Sequence, residues 1–146
     1  MFTLTALLSV SDKTGIVDLA RDTSYTVRLR GLPGADEAPA YRVALDSAAV
    51  DSARVLTAWG PVWSPDGRWA AVDVRARDNK DRWIARLDAA TGALTVLDRQ
   101  HDDAWIGGPG ISAGSFESPV GWIPDGRGGW RLWFHSERTG WSHLYA

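Results

Sequence analysis

"WSPDGR" at residues 63–68 and "WIPDGR" at residues 122–127 are two copies of one short pattern. In each copy proline presets φ for the second position of a tight turn, aspartate can bond to its own backbone, and glycine accepts a positive φ. Each copy therefore predicts a turn between two extended segments. The copies begin at Trp63 and Trp122, 59 positions apart, and a repeat of this length is typical of propellers and solenoids.

The segments after the first copy alternate apolar and polar residues, as strands do. In "WAAVDVRA" at 69–76, Asp73 and Arg75 lie on one face, and the other face carries Ala70, Val72, Val74 and Ala76. We therefore predict a half-buried strand. "RWIARLD" at 82–88 and "ALTVLD" at 93–98 follow, joined by the turn "AATG". Three short antiparallel strands make most of one propeller blade.

The segments around the second copy are similar. "WRLWFHS" at 130–136 and "WSHLYA" at 141–146 predict strands, and the chain stops inside the last one. Upstream, "YTVRLRG" at 25–31 and "YRVALDS" at 41–47 also predict strands. We predict an all-β fold, a partial β-propeller with about two to three blades of antiparallel strands, similar to WD40 and PD40 propellers. We expect the last blade to be incomplete.

Composition narrows the possible functions. The chain has 146 residues, 45% hydrophobic and 23% charged, with a formal net charge of −2. It can therefore bury a core, and no basic stripe predicts a nucleic-acid partner. The absence of cysteine excludes disulfides and thiolate zinc sites. No apolar run predicts a membrane span, and the N-terminus lacks the features of a signal peptide, so the compartment stays open.

The stretch "GISAG" at 110–114 matches the G-x-S-x-G pattern of a nucleophile elbow. An elbow needs a buried strand before the serine and a helix after it. Here the preceding residues read as a loop, and Pro119 stands seven residues after Ser112. We therefore predict that Ser112 lies in a loop connecting two blades and is not a nucleophile.

The remaining chemical signals are sparse. His101, His135 and His143 are the three histidines, and "HDD" at 101–103 is the one compact group of ligand-type residues. Its spacing fits no standard metal motif, and we predict a solvated turn. We predict that the chain has no catalytic, cofactor-binding or metal-binding residue and needs no cofactor, while its substrate-binding residues stay unknown.

Residues 22–146 resemble the N-terminal β-propeller of dipeptidyl peptidase IV-type enzymes, of the S9 prolyl oligopeptidase clan. The resemblance is carried by "WSPDGRWAAVDV", "GWIPDGR" and the ending "SERTGWSHLYA". In that family the propeller controls access to a fused α/β-hydrolase domain that holds the catalytic residues. It also binds the amino terminus of a peptide through paired glutamates, whereas Glu37, Glu117 and Glu137 are isolated here. Neither set of residues can be carried over.

The N-terminal segment resembles a different family. "ALLSVSDKTGIVDLAR" at 6–21 is similar to the start of the IMP cyclohydrolase domain of the bifunctional purine-biosynthesis enzyme. There a Ser-Asp-Lys-Thr-Gly loop contributes to a nucleotide site, which would involve Ser11, Lys13 and Thr14 here. We therefore divide the chain into residues 1–21, a strand or hairpin of doubtful origin, and residues 22–146, an incomplete propeller domain.

Three functions remain open. The first is a non-catalytic propeller fragment of an S9-family serine peptidase, which meets peptide substrate only together with a missing α/β-hydrolase domain. The second is a stand-alone binding module of the TolB or PD40 type, since the Trp-Ser-Pro-Asp-Gly turn also occurs there. The third is a fragment of a purine-pathway enzyme. Because two to three blades cannot close a ring, the exposed sheet edges of the isolated chain predict self-association.

Overall fold

The structure is a computed structural model that describes residues 5–7, 14–18, 23–27, 29–37, 54–111 and 119–146. These residues form three antiparallel sheets. The first sheet contains β1 (Thr5–Leu7), β2 (Thr14–Asp18) and β3 (Thr23–Val27), and a 3-10 turn follows at Leu29–Gly31. The middle sheet contains β4 (Leu56–Trp63), β5 (Trp69–Ala76), β6 (Asp81–Asp88) and β7 (Leu94–His101). The last sheet contains β8 (Val120–Pro124), β9 (Trp130–Ser136) and β10 (His143–Tyr145).

The first copy of the repeat turns β4 into β5, as predicted. The Ser64 hydroxyl donates to Asp66 Oδ1 at 2.6 Å and accepts the Trp69 N–H at 2.9 Å. Gly67 has a φ of 70°, which a side chain would disfavour. The bond from Ser64, followed by backbone N–H bonds and the charge of Arg68, lowers the pKa of Asp66 below the ordinary value of 3.8.

The second copy joins β8 to β9 with a different set of bonds. Residue 123 is isoleucine where the first copy has serine, and Asp125 binds only backbone within its turn. Its Oδ1 accepts the N–H groups of Arg127 at 2.7 Å and Gly129 at 2.8 Å. These two bonds lower the pKa of Asp125 below 3.8. The same short pattern thus joins two adjacent strands in both sheets, although the hydrogen bonds within the two turns differ.

One face of the middle sheet packs against the loop after the 3-10 turn. Val72, Val74 and Trp83 are buried there with Leu32 and Ala35. The Trp83 indole is fully buried, and its Nε1–H donates to the Pro33 carbonyl at 2.9 Å. The hydrogen bond satisfies the only polar atom that the indole takes into the core.

The opposite face of the middle sheet packs against the last sheet. Ala71 and Ile84 are buried there against Leu132 and Phe134. The prediction that β5 is half-buried was therefore wrong. Asp73 and Arg75, assigned to a solvated face by their polarity, are only 3% and 5% exposed.

The fold class is confirmed. The described residues are almost entirely β, in successive antiparallel meanders, and form a partial β-propeller. Of the segment at 25–31, the residues up to Val27 belong to β3 and Leu29–Gly31 form a 3-10 turn. The segment at 41–47 lies outside the described residues. No helix in the described part of the chain is long and apolar enough to cross a membrane.

Candidate functional site

We call the contact between the middle sheet and the last sheet the seam. Most of the charged, polar and aromatic side chains that were considered as a functional site lie there. Its apolar part consists of the four packed residues of β5, β6 and β9 described above. Trp122 of β8 closes the inner end, where its Nε1–H donates to the Val62 carbonyl at 2.9 Å. This bond joins the first strands of the two sheets.

The centre of the seam is a buried ion pair. Arg82 of β6 has no exposed surface, and Asp73 of the adjacent strand is 3% exposed. Arg82 Nε lies 3.1 Å from Asp73 Oδ1, and Nη2 lies 3.0 Å from Oδ2. Arg82 Nη1 donates to the His135 carbonyl at 2.6 Å. One side chain therefore joins two strands of its own sheet and crosses to the next sheet.

A second arginine shares the same carboxylate. Arg75 Nη2 lies 3.5 Å from Asp73 Oδ2, and the Arg75 guanidinium carbon lies 5.5 Å from the centre of the Trp59 ring. Burial, joined by the neighbouring charge of Arg82, lowers the pKa of Arg75 from its ordinary value despite the nearby Asp73. The centre of the seam thus holds two guanidinium groups, those of Arg75 and Arg82, and the carboxylate of Asp73. The Trp59 ring lies close to the Arg75 guanidinium.

The outer end of the seam is bound through β7. The Gln100 amide oxygen accepts the Glu137 N–H at 3.1 Å, and its nitrogen donates to Asp98 Oδ2 at 3.1 Å. Asp98 Oδ1 lies 3.4 Å from Arg138 Nη1. Glu137 Oε2 accepts the Gly107 N–H at 3.3 Å. Polar bonds therefore connect the two sheets here as well as at the centre.

The seam is suited to holding sheets in register and not to bond-making chemistry. Asp73 and Arg82 are bonded to each other and almost inaccessible, so neither can reach a solvent-borne substrate. Glu137, which the resemblance left without a partner glutamate, supports the loop at Gly107. Glu37 is exposed, and Glu117 lies outside the described residues.

A second buried carboxylate lies at the other face of the middle sheet. Asp81, 2% exposed as a side chain, accepts Arg54 Nη2 at 2.7 Å and Arg99 Nη2 at 3.2 Å. Arg54 also binds Asp78 at 2.9 Å. Burial alone would lower the pKa of Arg54, but the hydrogen bonds and charges of Asp78 and Asp81 together raise it. These bonds fix the β5–β6 turn.

His101 forms part of an arrangement that catalytic triads use. Its Nδ1 lies 3.0 Å from the buried Asp81 Oδ1, as an orienting aspartate would, and its side chain is 51% exposed. Its Nε2, however, lies 3.3 Å from the exposed Asp103 Oδ1 and not from a hydroxyl. Ser112 lies outside the described residues, so its non-catalytic role stays a prediction. A triad needs a nucleophile at Nε2, and a carboxylate occupies that position.

The other two histidines lie in strands of the last sheet. His135 of β9 lies beside Gly110, where an added Cβ would lie 2.5 Å from the imidazole Nδ1. His143 pairs with Ser136 across β9 and β10. Within the described ranges, no three histidine, aspartate or glutamate side chains converge as metal ligands.

The "HDD" segment has a structural explanation. Asp102 Oδ1 accepts the Trp105 N–H at 2.9 Å and the Ala104 N–H at 2.6 Å. These two bonds lower the pKa of Asp102 below 3.8. The segment is thus an exposed turn closed by its own aspartate.

The proposed nucleotide loop cannot be assembled from the described residues. Ser11 and Lys13 lie outside them, while Thr14 begins β2 and pairs with Val27 of β3. The resemblance to IMP cyclohydrolase is unsupported by the comparisons below.

A groove of about 490 Å³ opens along the seam, near the outer strands of the two sheets. It is lined by aromatic side chains and arginines of the last sheet, with Arg86 and Leu97 from the middle sheet.

Comparison with known proteins identifies the family. The model for the dipeptidyl peptidase IV (DPP IV) N-terminal region matches residues 17–146. No curated protein matches the chain. The matched range covers the middle and last sheets, with both Pro-Asp-Gly turns and the whole seam, and from the first sheet it covers β3 and the end of β2. The chain therefore belongs to the family of dipeptidyl peptidase IV N-terminal regions.

Proposed function

We propose that this chain is the non-catalytic propeller region of an S9-type serine peptidase and that it limits which peptides reach the active site. The family match over residues 17–146 carries this proposal. Peptide bonds would be cleaved by an α/β-hydrolase domain joined to the propeller. The blades would enclose the active site of that domain and leave only a narrow opening for peptides.

The hydrogen bonds across the seam support this proposed role. A propeller that admits peptides according to their size must keep its blades in fixed positions while substrate passes. Arg82 binds an aspartate on its own sheet and a backbone carbonyl on the next sheet, both at hydrogen-bond distance. Such bonds have defined geometry, unlike apolar packing, and resist sliding of one sheet over the other.

The same proposal includes self-association. β4 and β7 are the edge strands of the middle sheet, and both have eight residues. Their outer backbone groups can pair with another chain unless something covers them. We expect copies of this chain to associate through these edges when no further blade covers them.

The coding DNA on both sides of this sequence tests the main proposal. We expect an in-frame downstream region with a G-x-S-x-G elbow, followed by aspartate and histidine. The longer protein should release p-nitroaniline from Gly-Pro-p-nitroanilide, and the 146-residue chain should not.

The opposite result would assign another role. A stop codon followed by unrelated genes would contradict a peptidase role for this chain and favour a stand-alone binding module of the TolB type. Cleavage of the substrate by the purified 146-residue chain, abolished by Ser112→Ala, would contradict its non-catalytic assignment.

A further inference from the structure

The two copies of the repeat place the same four residues in different surroundings. Pro-Asp-Gly-Arg occupies 65–68 in the first turn and 124–127 in the second. In the second copy two more glycines, Gly128 and Gly129, separate this motif from the next strand. Because the aspartate, the glycine and the residue on either side of them are identical, a difference in how the two Asp-Gly peptides react reports on the folded structure around them.

An aspartate that is followed by glycine can rearrange without an enzyme. The glycine nitrogen attacks the carboxyl carbon of the aspartate side chain, and the carboxyl hydroxyl leaves as water with the proton of that nitrogen. The product is a five-membered succinimide ring. Water then opens the ring at either carbonyl, which restores aspartate or gives isoaspartate, in which the main chain runs through the former side chain. Glycine favours the attack because it has no Cβ and its backbone rotates freely.

The first turn holds its glycine nitrogen away from this reaction. The Gly67 N–H donates to the Ser64 carbonyl at 2.8 Å, and Gly67 is half-buried. The Ser64 hydroxyl also donates to Asp66 Oδ1 at 2.6 Å and accepts the Trp69 N–H at 2.9 Å, which fixes the rest of the turn. The Gly67 nitrogen can therefore turn toward the Asp66 carboxyl only if its bond to Ser64 breaks, and this bond stabilises the unreacted turn.

The second turn leaves the corresponding nitrogen free to move. Within the described ranges the Gly126 N–H forms no hydrogen bond, and Gly126 is exposed. The turn is closed elsewhere, by the Asp125 N–H, which donates to the Gly129 carbonyl at 3.0 Å. A Cβ added at Gly126 would meet nothing within 4 Å. Neither a hydrogen bond nor a close neighbour therefore restrains this nitrogen.

The second turn also positions its carboxyl group more tightly. Asp125 Oδ1 accepts the Arg127 N–H at 2.7 Å and the Gly129 N–H at 2.8 Å, whereas Asp66 Oδ1 accepts the Arg68 N–H at the longer distance of 3.2 Å. An aspartate bonded to the N–H two positions further on folds its carboxyl over the peptide between them. Two N–H groups that donate to one oxygen also stabilise the negative charge that forms there when a nitrogen attacks the carboxyl carbon.

We propose that Asp125–Gly126 is a site of spontaneous isomerisation to isoaspartate and that Asp66–Gly67 is protected by its hydrogen bonds. The rearrangement inserts one carbon atom into the main chain of the β8–β9 turn and converts the carboxylate that closes this turn into a main-chain amide. The last sheet is therefore loosened at this turn, while the middle sheet keeps its own turn intact. This inference is independent of the proposed gating function, and water is the only co-reactant.

Incubation in water labelled with heavy oxygen measures the reaction at both turns in one sample. Each succinimide that opens takes one oxygen atom from water, whether aspartate or isoaspartate results. Trypsin then releases the two turns in separate peptides, Val55–Arg68 and Gln100–Arg127, and fragmentation by electron transfer locates the label and identifies isoaspartate. We expect Asp125 to gain label about fivefold faster than Asp66, the rate factor that one intramolecular hydrogen bond corresponds to.

The acidity of the medium and the unfolded chain supply two controls. Labelling of Asp125 should become faster as the pH is lowered from about 8 to about 5, because only the protonated carboxyl loses its hydroxyl as water. In concentrated guanidinium chloride both turns unfold, and the two identical motifs should gain label at nearly equal rates.

Two variants test the assignment to the second turn. Asp125→Glu should remove the label from residue 125, because glutamate would have to close a six-membered ring, which forms less readily. Deletion of Gly128 and Gly129 makes the second turn as long as the first, and it should slow the reaction at Asp125 toward that at Asp66. Circular dichroism of the deletion variant checks that it is folded.

Equal labelling of the two aspartates in the folded chain would overturn the proposal, and so would faster labelling of Asp66. A difference of the same size in guanidinium chloride would assign the effect to sequence and not to structure. Hydrogen exchange of the separated isoaspartate form should be faster in β8 and β9 and unchanged in β4 and β5. Unchanged exchange in all four strands would contradict the loosening of the last sheet.

Discussion

Arg82 connects the middle sheet directly to the last sheet. Its guanidinium binds Asp73 through Nε and Nη2 and the His135 carbonyl through Nη1. Removing one member of a buried ion pair leaves the other charged and poorly solvated, which costs more than the pair contributes. The cost therefore falls on Asp73, although Arg75 stays nearby.

Replacing Arg82 with methionine should destabilise the chain strongly. Methionine keeps much of the volume but removes every hydrogen bond, so we expect a loss of about 3–5 kcal/mol in the free energy of unfolding. Urea unfolding followed by tryptophan fluorescence measures it. Arg77→Met, at an exposed position, is the control and should change stability by less than about 0.5 kcal/mol. Equal effects of both changes would show that the buried pair is energetically unimportant.

The turn aspartates make stability depend on pH. Asp66 and Asp125 have pKa values lowered below 3.8 in the folded chain. Their contribution is thus fully present above the ordinary pKa and disappears as the pH falls through the lowered values. Asp66→Asn with Asp125→Asn keeps an oxygen acceptor in each turn but no titrating group.

We expect this double variant to lose less stability than the parent chain on acidification below about pH 4. Thermal unfolding midpoints measured from neutral to acidic pH give the comparison. Glu37→Gln, at an exposed position, controls for loss of carboxylate charge. Parallel pH profiles for the parent and the double variant would contradict this explanation.

Features that depend on contacts between residues close in sequence were easier to predict than those that depend on distant residues. Both Pro-Asp-Gly turns were predicted correctly because their hydrogen bonds join residues only a few positions apart. The burial of Asp73 was missed because its closest partner, Arg82, is nine positions away and in turn binds the His135 carbonyl of another sheet. Polar and apolar residues alternate along a strand in the same way whether its polar face contacts solvent or the polar face of another sheet. Opposite charges on adjacent strands, flanked by alanine, valine and isoleucine, are the signal that could have revealed the pair.

At the scale of the element, β4 shows how closely its neighbour approaches. Its pairing with β5 shifts between Trp59 and Val62, and Gly60 lies in that interval with a φ of 108°. A Cβ added at Gly60 would lie 2.7 Å from the Ala71 carbonyl oxygen. Both conformation and space therefore require glycine here, and periodicity alone does not indicate such an irregularity.

Gly60→Ala should weaken the middle sheet. The disfavoured φ and the contact with backbone together should cost about 1–3 kcal/mol of unfolding free energy. Chemical denaturation measures the loss. Gly31→Ala is the matched control, because nothing lies within 4 Å of its added Cβ and no positive φ is involved. If both variants unfold at the same urea concentration, the strand shift does not depend on glycine.

The whole molecule has successive sheets whose edges lie free within the described residues. β7 is an edge strand with exposed side chains at Thr95 and Leu97. The repeat predicted this layout of the middle and last sheets, since each Pro-Asp-Gly turn joins the first two strands of one meander. The groove could not be predicted, because its lining comes from both sheets and depends on how they pack.

Sedimentation velocity at increasing protein concentration should reveal association through these edges. Thr95→Lys with Leu97→Lys places charge on β7, which native edge strands use to prevent pairing, and should reduce the associated fraction. Thr91→Lys, exposed in the preceding turn, adds charge away from the edge and should have little effect. A parent chain that stays monomeric at all concentrations would contradict the expected association.

The bond from Arg82 ends on the His135 carbonyl and not on the imidazole. Every amino acid supplies a carbonyl at that position, so the connection between the sheets makes no demand on which side chain residue 135 carries. Random mutation at residue 135 should thus be accepted more widely than mutation at Asp73, although both positions serve the same connection. At this bond the last sheet can therefore accept many side chains at residue 135, while the middle sheet has to keep Asp73 and Arg82.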